Sequence, residues 1–367
     1  MIKINASYER VYEKLSRNNL NAILISNVSN IQYLTGLNSE HAYVLAIPNK
    51  IFLLVPDVFK KHAEEIVDQS KVEIHGYTRK ITKVIRKIIE DYNLVNLAFE
   101  KESISYGKWE VIYKNISSIT NIIPITNFIE DIRSIKNNNE IQLIKEAAMM
   151  TEKVVEEKIC HINSNMTELD FEKELEKEMY KLGAEALPFR FEVSSGAKSA
   201  KVNAFPENKK LKLGELLLID VGIELQGYKT DIARTFAIGR ADKEQRQLYN
   251  IVYEFLLRIV SKIRPGIKVK EIVEISKEYY RELGIQSGLP YDIGHGVGLQ
   301  IHEKPFLSSM SNETFLEGMI LSIEPGIYIK NFGGVRLEDI IEIKADGASF
   351  ITNCKPMIPI LNYTERG

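Results

Sequence analysis

LLLIDVGIELQGYKTDIARTFAIG, residues 216–239, sets one apolar run against another across a reversal bracketed by glycines. Leu216 to Ile219 have the branched, apolar character of a buried strand, and that run delivers Asp220 at its end. Gly222 and Gly227 bracket the reversal, and Asp231 lies on a returning strand expected over 227–238. Two carboxylates eleven residues apart can face one another across such a hairpin, which suits a cation chelated by both. Taken alone, the segment reads equally well as two turn aspartates.

Three later segments add to it. DIGHGVGLQIHEKP, residues 292–305, carries His295 and His302, two of the chain's six histidines, in a glycine-rich loop. Glycines at 294, 296 and 298 let the backbone come close to a ligand. LSIEPGIY, residues 321–328, places Glu324 after an apolar strand and before a Pro–Gly turn. GGVRLEDIIEI, residues 333–343, puts Glu338 within an apolar strand, with Arg336 two residues earlier on the same face. Alone, Glu338 reads as an exposed or edge glutamate; buried, it needs a cation or Arg336 as compensation. Asp220, Asp231, His295, Glu324 and Glu338 are four carboxylates and one imidazole. That set suits two divalent cations sharing bridging carboxylates, between which water can be hydroxide at neutral pH. Convergence of the five would make the protein a metal-dependent hydrolase.

The rest of the chain is that of an ordinary globular protein. Its 367 residues favour two domains, and 44% hydrophobic with 27% charged residues supports a full core. A net charge of -2 argues against general nucleic-acid binding. Cys160 and Cys354 form no metal or redox pair. The start, MIKINASYERVYEKL, lacks the apolar centre of a signal peptide, and no run of about eighteen apolar residues suits a membrane span. A cytoplasmic location is the expectation.

Strands are expected at 22–26, 43–47, 51–55 and 96–100, with another near Ile122 and Ile123. Pro48, Asn49 and Lys50 mark a hairpin. Helical periodicity covers 58–67 and 81–92, so an α/β unit ends near residue 130. Helices follow at 140–159 and 167–182, the second capped by Thr167 with Asp170. Strands at 189–193, 216–222 and 227–238, helices at 243–263 and 269–283, and strands at 319–323, 326–329 and 337–343 complete the pattern.

The ordered Asp, Asp, His, Glu, Glu series resembles the pita-bread metallopeptidases: methionine aminopeptidases, aminopeptidase P and prolidases. RVYEKLSRNNLNAILISNVSNIQYLTG is similar to the N-terminal domain of prolidase and aminopeptidase P, including Tyr33–Leu34–Thr35–Gly36. Arg133–Ser134–Ile135–Lys136 followed by Glu140 resembles that family's passage into its catalytic domain. Methionine aminopeptidases generally lack this N-terminal domain, so the Xaa-Pro branch is favoured. The resemblance implies an α+β chain, with a smaller creatinase/prolidase-like α/β domain over 1–130 and a pita-bread catalytic domain over 131–367. It further implies that Asp220 chelates one metal, Asp231 and Glu338 bridge two, and His295 and Glu324 complete the second. Glu324 is also the implied general base, His302 stabilises the scissile carbonyl or positions substrate, and Arg336 orients carboxylates. Two divalent ions follow, manganese before cobalt or zinc, together with a proline-containing peptide substrate and a homodimer.

Three positions depart from that pattern. Asn203 stands where the Xaa-Pro enzymes usually have a substrate histidine; it can donate a hydrogen bond but carries no charge and relays no proton. Ala233 replaces a frequent threonine, removing a hydroxyl near Asp231, and Gln300 replaces a frequent glutamate. The expectation is a dinuclear peptidase cleaving Xaa-Pro bonds. The alternatives are a pita-bread hydrolase of altered specificity, or a binding paralogue with weak catalysis. A metal-free creatinase-like enzyme would not need all five ligands.

Overall fold

Runs of valine, isoleucine and leucine too short for helices become the buried strands of the first unit. The computed structural model describes residues 8–285 and 292–363, and the chain divides into two units between Arg133 and Ser134. The first contains α1 (Tyr8–Arg17), β1 (Ala22–Ile25), α2 (Val28–Thr35), β2 (Tyr43–Ile47), β3 (Lys50–Pro56) and α3 (Asp57–Ile66). It continues with β4 (Val72–Tyr77), α4 (Ile81–Asp91), β5 (Asn96–Glu100), α5 (Tyr106–Ile116), β6 (Asn121–Ile125) and α6 (Glu130–Arg133). One mixed sheet runs β4-β3-β2-β1-β5-β6. Ile47 pairs with Lys50, so the expected hairpin turns on Pro48 and Asn49 alone, with Asn49 at φ 64°. Gly36 ends α2 in a left-handed conformation that glycine adopts freely. The sequence reading missed β4. Only its Val72 is buried, because β4 is an edge strand with Glu73 and His75 in place of an apolar run.

The second unit begins with α7 (Asn138–Ile159), α8 (Glu168–Leu182), β7 (Glu192–Ser195) and β8 (Leu216–Val221). Next come β9 (Glu224–Leu225), β10 (Tyr228–Lys229), β11 (Ile232–Ile238), α9 (Lys243–Val260) and α10 (Val269–Glu282). The remaining strands are β12 (Gly294–Gly296), β13 (Glu303–Phe306), β14 (Ile320–Ile323), β15 (Gly326–Ile329), β16 (Gly333–Arg336), β17 (Asp339–Lys344), β18 (Gly347–Phe350) and β19 (Ile360–Leu361). They form a four-stranded sheet, β19-β11-β8-β7, a five-stranded sheet, β13-β12-β14-β17-β18, and two ribbons. Thr167 and Asp170 cap α8 reciprocally, as their spacing predicts. On α9, Val252, Phe255, Leu256 and Ile259 recur at helical spacing and join Leu321, Ile323 and Ile341 in one core. Each such side chain contributes roughly 1.5–3 kcal/mol by burial. Among the described residues, no helix is long and apolar enough to cross a membrane.

The expected strand over 227–238 is broken. β10 pairs with β9 around a tight turn at Gln226 and Gly227, both at positive φ. β11 starts afresh at Ile232 and pairs with β8, setting Ala233 opposite Asp220. The break is fixed at Thr230, whose hydroxyl accepts the Ile223 N–H at 3.0 Å and meets the Thr151 hydroxyl at 3.0 Å. A Cβ on Gly222 would collide with the Thr230 carbonyl, so glycine permits the pinch. Asp231 sits in that break.

Candidate metal centre

Each of the five expected ligands sits in or beside a strand of the second unit's two larger sheets. Asp220 is the penultimate residue of β8, and Asp231 immediately precedes β11. His295 is the middle residue of β12, Glu324 follows β14, and Glu338 precedes β17. Glu338 thus lies in the gap between β16 and β17, not within a strand as the sequence suggested. It is only 1% exposed, which overturns the exposed-glutamate alternative.

The side chains converge. Ligand atoms of Asp220, Asp231 and Glu338 lie within 4.8 Å of one another, as do those of His295, Glu324 and Glu338. Asp231, His295 and His302 form a third such group. His295 Nε2 is 3.7 Å from both Asp231 Oδ2 and Glu324 Oε1. His302 lies at the edge of the cluster, its side chain 61% exposed and its Nε2 4.0 Å from Asp231 Oδ2. Its ring meets that of His295 edge-on, with centroids 4.2 Å apart.

The donors fit divalent ions in chemistry as well as position. Asp220 Oδ1, His295 Nε2 and Glu338 Oε2 are buried and have no hydrogen-bond partner among the described residues. Orphaned buried atoms of this kind are costly unless a further group completes them. Burial, then the charge of Asp220, pushes the Glu338 carboxyl up to about 8. Burial followed by the charge of Glu338 raises both Asp231 and Glu324 well above the ordinary carboxylate range. Burial and then His302 push His295 down to about 3, leaving its imidazole in the neutral, metal-binding form. Burial and mutual repulsion thus make the ionised forms of these carboxyls costly, a cost that divalent cations among them would relieve.

A surrounding layer aims these ligands. Arg336 Nη2 donates to Asp220 Oδ2 at 2.5 Å and Glu192 Oε2 at 2.6 Å. The other oxygen of Glu192 accepts the Ala204 N–H at 3.1 Å. Ser322 Oγ donates to Glu338 Oε1 at 2.7 Å, while Arg234 Nη1 donates to the Glu338 carbonyl at 2.5 Å. Sequence reasoning anticipated Arg336 but missed Glu192, Ser322 and Arg234. Glu192 carried a usable signal, since a lone glutamate between Phe191 and Val193 raises the same burial problem as Glu338. Arg336→Met, which frees Asp220 and Glu192, should weaken metal binding by roughly 10- to 100-fold, as titration of the metal-stripped variant would measure. Unchanged affinity would deny Arg336 an orienting role.

The three departures have distinct settings. Asn203 is exposed in a turn at φ 56°, next to the Ala204 that holds Glu192. Ala233 is buried, and its carbonyl accepts the Glu338 N–H at 3.0 Å. A hydroxyl still bonds Glu338 beside this position, supplied by Ser322. Gln300 uses its backbone N–H to bond Glu303 Oε2 at 3.2 Å. The glycines of 294–298 also need correction. A Cβ on Gly294 or Gly296 would strike the carbonyl of Ser322 or Lys304, and one on Gly298 the Glu303 carboxylate. They permit close packing within the protein.

Comparison with known proteins agrees with this architecture. The model for metallopeptidase family M24 matches residues 142–345, and that for the creatinase/prolidase N-terminal domain matches residues 8–135. The chain is 31% identical to an Xaa-Pro dipeptidase of Pyrococcus horikoshii over 350 residues, covering 95% of this chain and 97% of that one. Its structure matches an Xaa-Pro dipeptidase from Bacillus anthracis with TM-score 0.89 at 29% identity, covering 96% and 99% of the two chains. An X-Pro aminopeptidase from Thermotoga maritima matches with TM-score 0.86 at 27% identity and the same coverage. The fold is therefore the α+β pita-bread architecture preceded by a creatinase-like domain, and the chain belongs to metallopeptidase family M24.

Proposed function

We propose that this protein hydrolyses the Xaa-Pro bond of dipeptides or short peptides using two divalent ions held by Asp220, Asp231, His295, Glu324 and Glu338. Manganese is the first candidate, since four of the five donors are carboxylates. The observation that carries the reading is the overlap of the ligand groups. Glu338 belongs to two of them, one with Asp220 and Asp231 and one with His295 and Glu324, as a bridging carboxylate must. When bound, divalent ions supply an acidified water and a Lewis acid for the carbonyl.

The residues divide the remaining work. Glu324 takes a proton from the attacking water and passes it to the prolyl nitrogen as the C–N bond breaks, giving a free carboxylate and a free amine. That delivery matters for proline, whose tertiary amide nitrogen has no hydrogen of its own. The exposed His302 imidazole positions the substrate carbonyl beside the cluster. Arg336 keeps Asp220 in place through the change of charge. Hydrolysis of Xaa-Pro dipeptides and longer Xaa-Pro peptides by the manganese-loaded protein tests the reading. Two ions bound per chain with no cleavage of either class would overturn it in favour of a hydrolase of other specificity or a binding protein.

Asn203 bears on rate. Histidine tolerates positive φ almost as asparagine does, so Asn203→His can enter this turn without rebuilding it. On Xaa-Pro substrates it should raise kcat/KM by several-fold, about 1 kcal/mol of transition-state stabilisation. Unchanged kinetics would mean that the asparagine loop serves the substrate without an imidazole.

A further inference from the structure

The His302 side chain is largely exposed and meets the His295 ring on one side only, so its backbone does much to set its position. Residues 297–302 lie in neither helix nor strand. Two ties come from Lys229, whose N–H donates to the Gly298 carbonyl at 2.8 Å and whose Nζ donates to that of Leu299 at 2.9 Å. Val297 N–H adds a bond to the Ile320 carbonyl at 3.2 Å, and a further tie is the residue after His302. Glu303 turns its side chain inward, where it is 4% exposed, and accepts the Gln300 N–H at 3.2 Å through Oε2. Its Oε1 accepts from Lys136 Nζ at 2.8 Å. The Lys136 side chain is 1% exposed, and its backbone N–H is fixed to the Gly318 carbonyl at 2.9 Å. Gly298 leaves the space that the Glu303 carboxylate fills.

We infer that the buried Lys136–Glu303 ion pair is the anchor that positions His302 beside the metal cluster, with Lys136 a positioning residue for the reaction proposed above. A buried carboxylate with its ammonium removed is strongly destabilised and will seek solvent. The loop at 297–302, which has no regular structure, is the part that yields, because Lys136 leads directly into the capped start of α7 and Glu303 opens β13. The four carboxylate ligands reside on other segments, and His295 is held in β12 by pairing with β14 as well as with β13, so metal binding should persist while His302 loses its place. Misplacement by about 1 Å is enough to cost up to roughly 100-fold in rate. The inference rests on the proposed function for its kinetic readout only.

The test uses the full-length, manganese-loaded protein and its Lys136→Met, Glu303→Gln and Lys136→Arg variants, each also made with His302→Ala. Bound metal, amide hydrogen exchange over 297–303, and kcat and KM on an Xaa-Pro peptide are measured. Lys136→Met and Glu303→Gln should keep their metal, exchange faster over 297–303 and lose roughly 10- to 100-fold in kcat with a smaller change in KM. In the His302→Ala background the same changes should cost less than about twofold, since there is no imidazole left to misplace. Lys136→Arg should recover most of the turnover. Equal losses in both backgrounds, or unchanged exchange over 297–303, would overturn the inference. Glu303→Gln, which keeps the shape of the side chain, decides the matter where Lys136→Met fails to fold. If the parent protein cleaves no Xaa-Pro peptide, the functional reading fails separately and the exchange measurement still decides the anchor.

Discussion

Glu324→Gln should cut peptide turnover by roughly 10²- to 10⁴-fold while making the metal-free protein more stable. The two effects have opposite signs for one reason. Burial and the neighbouring charge of Glu338 hold the Glu324 carboxyl well above its ordinary range, so its ionised form is expensive in the folded state. Glutamine removes that expense and nearly keeps the shape. In the mechanism proposed above it also removes the group that accepts a proton from water and returns it to the leaving nitrogen. Stabilisation with loss of function is the expected mark of a residue kept for chemistry. Turnover should be measured at saturating metal with bound metal quantified, and melting should be followed in chelator at pH 7–8. Full turnover at full occupancy would remove Glu324 as the base. A lower melting temperature than the parent in chelator would mean that its carboxylate is structurally favourable.

The candidate ligands were legible because each stands beside local punctuation. Asp220 ends an apolar run, Glu324 precedes Pro325 and Gly326, and His295 lies between glycines. Their partners had no such mark. Glu192 reaches Arg336 across 144 positions and Lys136 reaches Glu303 across 167, so no window of sequence contains either pair. Ser322, flanked by Leu321 and Ile323, reads as strand filler until its hydroxyl is seen on Glu338. The glycines of 294–298 mark an unusual backbone correctly, but whether a ligand or a carbonyl occupies the vacated space is a tertiary fact. Likewise, residues 228–238 contain neither proline nor glycine to mark a stop, while the break at Asp231 depends on Thr230 meeting Ile223 and Thr151.

In chelator the protein should lose stability as pH rises from about 6.5 to 8, and divalent metal should abolish or reverse that loss. Burial and the charge of Asp220 push the Glu338 carboxyl up to about 8 in the folded chain, from an ordinary value of 4.5. Between these values the unfolded chain has released a proton that the folded chain still holds. The folded state therefore binds more protons, and its stability falls with increasing pH. Asp231 and Glu324, both raised chiefly by burial, act in the same direction. His295 acts oppositely: pushed down to about 3 by burial, it makes the unfolded chain the better proton binder up to the ordinary value of 6.5. Above that value nothing from His295 offsets the carboxylates, so the decline is clearest there. Each fully titrating carboxylate contributes a slope of about 1.4 kcal/mol per pH unit. Metal requires those same carboxylates ionised and so binds more tightly as pH rises. Occupancy at 1,000 times Kd adds about 4 kcal/mol per site. Melting temperatures in chelator and in manganese should therefore separate progressively from pH 6.5 to 8. Curves that stay parallel would mean that the crowded carboxylates do not titrate in response to the ions.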